Sequence, residues 1–359
     1  MDKKLKAAVL GGTGMVGQRF ISLLENHPWF EVVSIAASER SAGKTYEEAV
    51  SGRWKIDVPM PEKAKGIMVK NVMEISKIAD EADIVFCAVD MKKDEIRELE
   101  EKYARADIPV ISNNSAHRWT DDVPMVIPEI NPDHIRVIES QRKRLGTKKG
   151  FIAVKSNCSL QSYVPPVHAL KGFEPEKVLA CTYQAISGAG KTFSEWPEIL
   201  DNVIPYIGGE EDKSENEPLK IWGTVENGKI VKASGPIITS QCYRVPAQDG
   251  HLAAVFVSFK NKPSKEEILN SWKEFKGKAQ ELKLPSAPQQ FLTYFDQPDR
   301  PQTRLDRNVE NGMGIAVGRL REDSIFDYKF VCLSHNTIRG AAGGGVLMAE
   351  LLKAEGYLG

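Results

Sequence analysis

The sequence predicts an α/β protein, with a Rossmann-like, doubly wound parallel sheet at its N-terminal end and an α+β catalytic domain built on a mixed or mostly antiparallel sheet. Three observations carry this. Strand-like and helix-like segments alternate from Leu5 to Val154, the pattern that builds right-handed parallel sheets. The run Gly11-Gly12-Thr13-Gly14-Met15-Val16-Gly17 lies between an apolar strand and an amphipathic segment, where G-x-G-x-x-G turns strand into helix. After Cys158 the strand-like runs lie closer together, with helices between only some of them.

Length and composition bound the rest. A chain of 359 residues with 42% hydrophobic and 27% charged residues can bury a substantial core and favours two domains. A net charge of −1 gives no electrostatic reason for nucleic acid or an anionic membrane as partner. Cys87, Cys158, Cys181, Cys242 and Cys332 are scattered and show no CxxC spacing, so neither a disulfide framework nor a metal site is expected, and the compartment is reducing. Met1 to Lys4 run straight into a strand without the apolar core of a signal peptide, and no window reaches the roughly 18 apolar residues of a membrane span. A cytoplasmic protein is expected.

The first strand, Leu5 to Leu10, delivers the chain to the glycine loop, where bare backbone can approach a pyrophosphate and the helix from Gln18 to Glu25 can hold it on its N-terminus. Gly12, Gly14 and Gly17 fit the motif. A second strand, Glu31 to Ala37, ends in Ser38-Glu39-Arg40-Ser41-Ala42-Gly43-Lys44, about 20 residues on, where such folds meet the adenosine ribose. Two serines, Arg40 and Lys44 suit a 2′-phosphate and favour NADP, while Glu39 keeps NAD open. The strand Ala82 to Val89, the charged helix Lys92 to Ala106 and the strand Ile108 to Ile111 bring Cys87 and Ser112-Asn113-Asn114 to the ligand crevice, Cys87 by its backbone. Arg118 is a cation just past that strand end, placed to meet an anion. The basic run from Gln141 to Gly150 reads as a solvated connector.

Phe151 to Val154 reads as a buried strand leading into Lys155-Ser156-Asn157-Cys158-Ser159-Leu160-Gln161. Cys158 thus occupies a strand-to-helix corner, with Ser156, Asn157 or Ser159 available as a cap, where amide dipoles are expected to lower its thiol pKa. Strand-like runs follow at Val178 to Ile186, Ile230 to Ala233, Ile237 to Tyr243, Leu252 to Phe259, Gly314 to Leu320 and Asp327 to Leu333. Gly208 to Pro218, acidic and glycine-bearing, reads as a loop. Arg244 and His251 lie seven residues apart across a turn made by Pro246 and Asp249-Gly250, an arrangement able to clamp a carboxylate and to offer a base. Near the C-terminus, Asn336 to Gly345 leads into an apolar-faced helix, Val346 to Ala354, expected to return to the first domain. The expected domains are 1–157, 158–333 and a C-terminal helix in 334–359.

The glycine loop, Ser38 to Lys44, Ser156-Asn157-Cys158, Gln184 with Ser187-Gly188-Ala189-Gly190, Glu217-Pro218-Leu219-Lys220 and Arg244…His251 together resemble the aspartate-semialdehyde dehydrogenase family, over nearly the whole chain. Ser112-Asn113-Asn114 and Ser156 to Gln161 are similar to the branch found in archaea and fungi. The resemblance implies Cys158 as acyl-accepting nucleophile, His251 as acid/base and Gln184 as orienting group. It implies Arg244 for the substrate carboxylate, Glu217 for its ammonium, and Lys220 with Arg118 for phosphate, with Lys44 or Asn114 sharing that work. Gly12, Thr13, Gly14, Met15, Val16, Ser38, Arg40, Ser41, Cys87, Ser187, Gly188 and Asn336 would contact NADP. The implied activity is NADPH-dependent reduction of aspartyl phosphate to aspartate semialdehyde and phosphate, in lysine, threonine and methionine biosynthesis, by a homodimer or homotetramer. An acyl-CoA reductase of the same fold, such as a malonyl-CoA reductase, and a non-catalytic NADP-binding protein are the alternatives.

Overall fold

A computed structural model describes residues 3–359. Six strands, β1 (Leu5–Leu10), β2 (Phe30–Ala37), β3 (Val69–Asn71), β4 (Ile84–Cys87), β5 (Val110–Ser112) and β6 (Ile152–Val154), form one all-parallel sheet in the order β3-β2-β1-β4-β5-β6. That is the dinucleotide-fold order, whose reversal point lies between β1 and β4. These strands are near-continuously apolar because helices cover both faces. On one face lie Met15–Leu24 and the C-terminal helix Gly343–Ala354, which joins Phe20, Phe86, Ile111 and Ala153 through Val346, Leu347 and Leu351. Inside that layer Glu350 meets His27 at 2.8 Å.

The second sheet is mixed. In chain order come β7 (Pro175–Gln184), the small hairpin β8 (Thr224–Glu226) with β9 (Lys229–Val231), β10 (Ile237–Arg244), β11 (His251–Phe259), β12 (Leu292–Phe295), β13 (Ile315–Glu322) and β14 (Tyr328–Ser334). Outside the hairpin the order is β10-β7-β11-β14-β13-β12, with β10 on β7 and β12 on β13 parallel and the remaining pairs antiparallel. One face of it covers the helices Leu160–His168 and Lys265–Glu274, through Ala253, Val255, Val257, Val164 and Trp272. The opposite face is half exposed.

The acidic segment is a correction. Residues Glu210–Ile221 form a 12-residue helix, not a loop. Gly209, at φ +69°, turns the chain, and Glu210, Glu211 and Asp212 in the first turn complement the helix dipole. Pro218 lacks the N–H that would bond Ser214 four residues back; the Tyr163 hydroxyl donates to that carbonyl instead, at 2.7 Å. The interruption that made the segment look loop-like is thereby satisfied from a neighbouring helix. Among the described residues no helix is long and apolar enough to cross a membrane.

Candidate active site

Cys158 stands between β6 and the helix Leu160–His168, and β11 begins at His251 directly opposite. Their side chains meet, Sγ to Nε2, at 3.3 Å. The corner is held by Asn157, whose Oδ1 accepts from the Ser159 amide and hydroxyl at 2.8 and 2.7 Å. The expected lowering of the thiol pKa is not found. Burial pushes the Cys158 thiol up to about 11, Glu210 adds to this, and Lys155, Arg118 and Arg244 oppose it. Loss of hydration outweighs partial charges at one helix end.

His251 is wholly buried, and burial followed by the charge of Arg244 holds its pKa well below the ordinary histidine range. The Ala185 amide donates to Nδ1 at 3.0 Å. The neutral ring therefore carries its proton on Nε2, directed at Cys158 Sγ. Arg244, on β10, donates from Nη1 to the Ala185 carbonyl at 2.6 Å, so the backbone of one residue, Ala185, positions both side chains. Gly188 lies against the same pair: a methyl there would sit 3.1 Å from Arg244 Nη1 and from His251 Nε2. Asn336 joins the flanking loops, accepting from Gly250 N and donating to Ser187 Oγ, both at 2.8 Å.

Gln184 closes β7 and donates to Glu210 at 3.2 Å. The same carboxylate accepts from Asn157 Nδ2 at 3.0 Å on each oxygen and from Lys213 at 2.7 Å. Sequence reasoning missed Glu210, because only the helix reveals it: Glu210, Glu217 and Lys220 share one buried face.

The remaining substrate-binding candidates depart from their expected arrangement. Glu217, with no exposed surface, is engaged by Arg118 Nη1 at 2.9 Å and by the Asn157 amide at 2.7 Å. Arg118 also donates from Nε to the Lys155 carbonyl at 2.9 Å. Lys220 is not brought to a phosphate position: its ammonium donates to the carbonyls of Arg118, Thr120 and Val123 at 2.7, 2.9 and 3.0 Å, which uses all its protons. Asn114 donates to the Val89 carbonyl at 2.7 Å, and its Oδ1 is buried without a partner.

On the dinucleotide side, Gly11 has φ +78° and a methyl there would lie 2.3 Å from the Ala88 carbonyl oxygen; one on Gly17 would lie 2.2 Å from the Gly11 oxygen. These two contacts explain why the loop needs glycine for its turn and for helix packing. Gly14 is different, since nothing lies closer than 3.5 Å to a methyl placed there. Gly14 is also the N-cap of Met15–Leu24, with no side-chain cap, so the amides of Met15 and Val16 remain available to an anion. Thr13 is half-buried beside them. This cradle fits a pyrophosphate. Ser38 and Arg40 are exposed at the end of β2, while Ser41 is buried, its amide bonded to the Ser38 carbonyl at 2.9 Å. Cys87 is fully buried, and its carbonyl accepts from the Asn113 amide at 2.8 Å.

Comparison with known proteins bears on the whole chain. The semialdehyde dehydrogenase NAD-binding domain family matches residues 6–138, and the semialdehyde dehydrogenase dimerisation domain family matches residues 165–339. The aspartate-semialdehyde dehydrogenase of Saccharomyces cerevisiae is 44% identical over all of both chains, and that of Archaeoglobus fulgidus is 43% identical over 98% of this chain and 99% of its own. The chain belongs to the aspartate-semialdehyde dehydrogenase family. A crystal structure of aspartate semialdehyde dehydrogenase with NADP from Candida albicans aligns with a TM-score of 0.87 at 42% identity, over 99% of this chain and 100% of that one. The expected likeness to archaeal and fungal members, and the parallel-plus-mixed sheet architecture, agree with these relatives.

Proposed function

We propose that this protein is the NADP-dependent, phosphorylating aspartate-semialdehyde dehydrogenase that reduces L-aspartyl 4-phosphate to L-aspartate 4-semialdehyde and phosphate, a step toward lysine, threonine and methionine. The observation that carries this is the 3.3 Å contact of Cys158 Sγ with His251 Nε2. It lies at the seam between the two sheets, in a chain that matches enzymes of that name along its full length.

The residues then act as follows. Cys158 thiolate attacks the acyl phosphate; a C–S bond forms, the C–O bond to phosphate breaks, and phosphate departs with that electron pair, leaving a thioester. NADPH, when bound, supplies the hydride. Reduced thioester carbon bears an alkoxide, toward which the Nε2 proton of His251 donates. Collapse of the alkoxide breaks the C–S bond, releases the aldehyde and returns the thiolate. In this scheme His251 works as a hydrogen-bond donor throughout, a narrower role than the acid/base exchange expected from sequence, because the Ala185 amide occupies Nδ1. Gln184 orients the acyl oxygen and Arg244 clamps the substrate carboxylate. For the ammonium group we assign Glu210, which lies against Gln184 and keeps some exposed surface, in place of Glu217, which has none. Arg118 takes phosphate, with Asn114 or Lys44 sharing that work; Lys220 acts only through the loop it holds. Gly12 to Val16 seat the pyrophosphate, Ser38, Arg40 and Ser41 the 2′-phosphate, and Ser187, Gly188 and Asn336 the nicotinamide end.

Residues 1–157 and 158–333 form the cofactor and catalytic units in this proposal, with 334–359 returning to the first. The exposed face of the mixed sheet is the surface on which two copies pair, and five free thiols suit the cytoplasm. Relatives of full length and a carboxylate beside Gln184 favour the amino-acid substrate over an acyl-CoA. The test is an assay of purified protein with aspartate semialdehyde, NADP and phosphate, followed at the absorbance of the reduced nicotinamide. Phosphate-dependent reduction of NADP is expected. Faster turnover of malonyl-CoA with NADPH, or reduction that ignores phosphate, would overturn the assignment.

A further inference from the structure

We infer that Arg339 is a positioning residue for the nucleophile: through Gln161 and Ser156 it fixes the chain on both sides of Cys158, and the turn that carries it also fixes the loop before His251. Arg339 lies in the π-helical turn Ile338–Ala342, which follows β14 and leads into the C-terminal helix. Such turns interrupt regular helix at functional positions more often than elsewhere. Arg339, Gln161 and Ser156 are each 1% exposed.

Every step from Arg339 to the cysteine is a hydrogen bond. Glu129 holds the guanidinium with both oxygens, accepting from Nη1 at 2.8 Å and from Nη2 at 2.6 Å. That leaves Nε to donate to Gln161 Oε1 at 2.9 Å. Arginine can only donate, so it decides which end of the Gln161 amide faces it. The NH2 end is thereby turned to Ser156, and Nε2 donates to its Oγ at 2.8 Å. From the same glutamine the backbone amide donates to the Cys158 carbonyl at 3.4 Å. Ser156 and Gln161 therefore close a loop about Cys158, and Arg339 sets the orientation of the group that closes it.

The turn itself reaches both ends of the catalytic contact. Gly340 is packed so closely behind the cysteine that a methyl on it would lie 2.9 Å from Cys158 Cβ. Asn336, three residues before Arg339, accepts from Gly250 N and donates to Ser187 Oγ, both at 2.8 Å, and Gly250 immediately precedes His251. The Gly340 amide closes the turn on the His335 carbonyl at 2.9 Å. One short turn thus holds Cys158 at one end and His251 at the other, and so sets the 3.3 Å between Sγ and Nε2. A buried ion pair is often no more stabilising than apolar residues of the same volume. The rigid fork of an arginine, by contrast, is suited to holding geometry.

Resting on Cys158 as the nucleophile, this role is tested first without turnover. Arg339→Lys keeps a cation for Glu129 and loses the fork that reaches Gln161; Gln161→Met leaves the Arg339–Glu129 pair intact and removes the link. Each is made in the wild-type chain and in His251→Ala. The rate of Cys158 alkylation by iodoacetamide at fixed pH is read by mass spectrometry, with urea midpoints reporting the fold. In the wild-type background we expect alkylation about tenfold slower, because the sulfur is displaced from the Nε2 proton that stabilises its thiolate. In the His251→Ala background no further loss is expected, since that proton is already gone. In turnover the same variants should lower kcat by about 10–10²-fold and leave the KM for NADP unchanged. Equal slowing in both backgrounds overturns the proposal. So do an unchanged alkylation rate in folded variants, a raised KM for NADP with kcat kept, and the unfolding of both variants, which would make this chain of bonds structural alone. Failure of the wild-type assay with aspartate semialdehyde, with the coupling to His251 still found, would sink the substrate assignment and leave the positioning role standing.

Discussion

At the residue scale the decisive atom is His251 Nδ1. Because a backbone amide donates to it, the imidazole presents a proton to the sulfur, and its depressed pKa keeps the ring neutral as pH falls through the usual histidine range. Two consequences can be measured. Log kcat/KM should show no acid limb near pH 6.5, the unperturbed histidine value. His251→Gln, whose amide can donate but cannot titrate, should retain at least about a tenth of wild-type kcat, whereas His251→Ala should lose about 10²–10³-fold, the usual value of a removed oxyanion donor. Equal losses in both variants would restore proton transfer to His251. Cys158 was legible in the sequence as a nucleophile at a strand-to-helix corner, but the direction of its pKa was not. Helix-end amides are a local property; the groups that outweigh them, Gly340 and His251 packed against the cysteine and the charge of Glu210, are brought from 52 to 182 residues away in sequence.

At the element scale the acidic helix Glu210–Ile221 decides which polar groups serve substrate and which serve structure. Its buried face aims Glu210 at Asn157 and Gln184, Glu217 at Arg118, and Lys220 at the loop Arg118 to Val123. Lys220 donates three hydrogen bonds to that loop, so it fixes the backbone from which Arg118 projects. Lys220→Met should therefore cost stability, about 2–4 kcal/mol for buried carbonyls left without a donor, seen as a lower urea midpoint. A variant of wild-type stability with a raised KM for phosphate would instead return Lys220 to the phosphate site. The helix was hidden in the sequence because glycine at its start and proline near its end carry loop signals. The proline is accommodated by a tertiary partner that no local pattern reports, the Tyr163 hydroxyl. The parallel strands, by contrast, were readable because they are apolar throughout and alternate with helices at short range.

At the scale of the whole molecule, the outer face of the mixed sheet and the catalytic groups are two sides of the same strands. On β7, Tyr183 faces out and Gln184 faces the site; on β10, Tyr243 faces out and Arg244 in; on β11, Leu252 faces out and His251 in. The outward residues are in register, Tyr183 with Tyr243 and with Leu252, and the two tyrosine rings stack at 5.6 Å. Below them Cys181 aligns with Ala254 and Val331, and Leu179 with Phe256, an apolar strip along β7 and β11 bordered by Gln241 and Thr239 on β10 and by Lys329 on β14. A face of this kind marks an interaction surface, and the match to a dimerisation domain makes a second copy its proposed occupant. Phe256→Glu puts a charge at the centre of the strip without touching an inward side chain. Losing the buried ring alone is worth about 2 kcal/mol, or roughly thirtyfold in dimer Kd. Light scattering at micromolar concentration should then give half the wild-type mass, with an unchanged melting profile for the monomer fold. Because Gln184, Arg244 and His251 are the next residues on the strands so released, kcat should fall in parallel with the dimer fraction and recover as protein concentration is raised. A fully active monomer would show that the strands hold the site without a partner, and would separate pairing from catalysis in this chain.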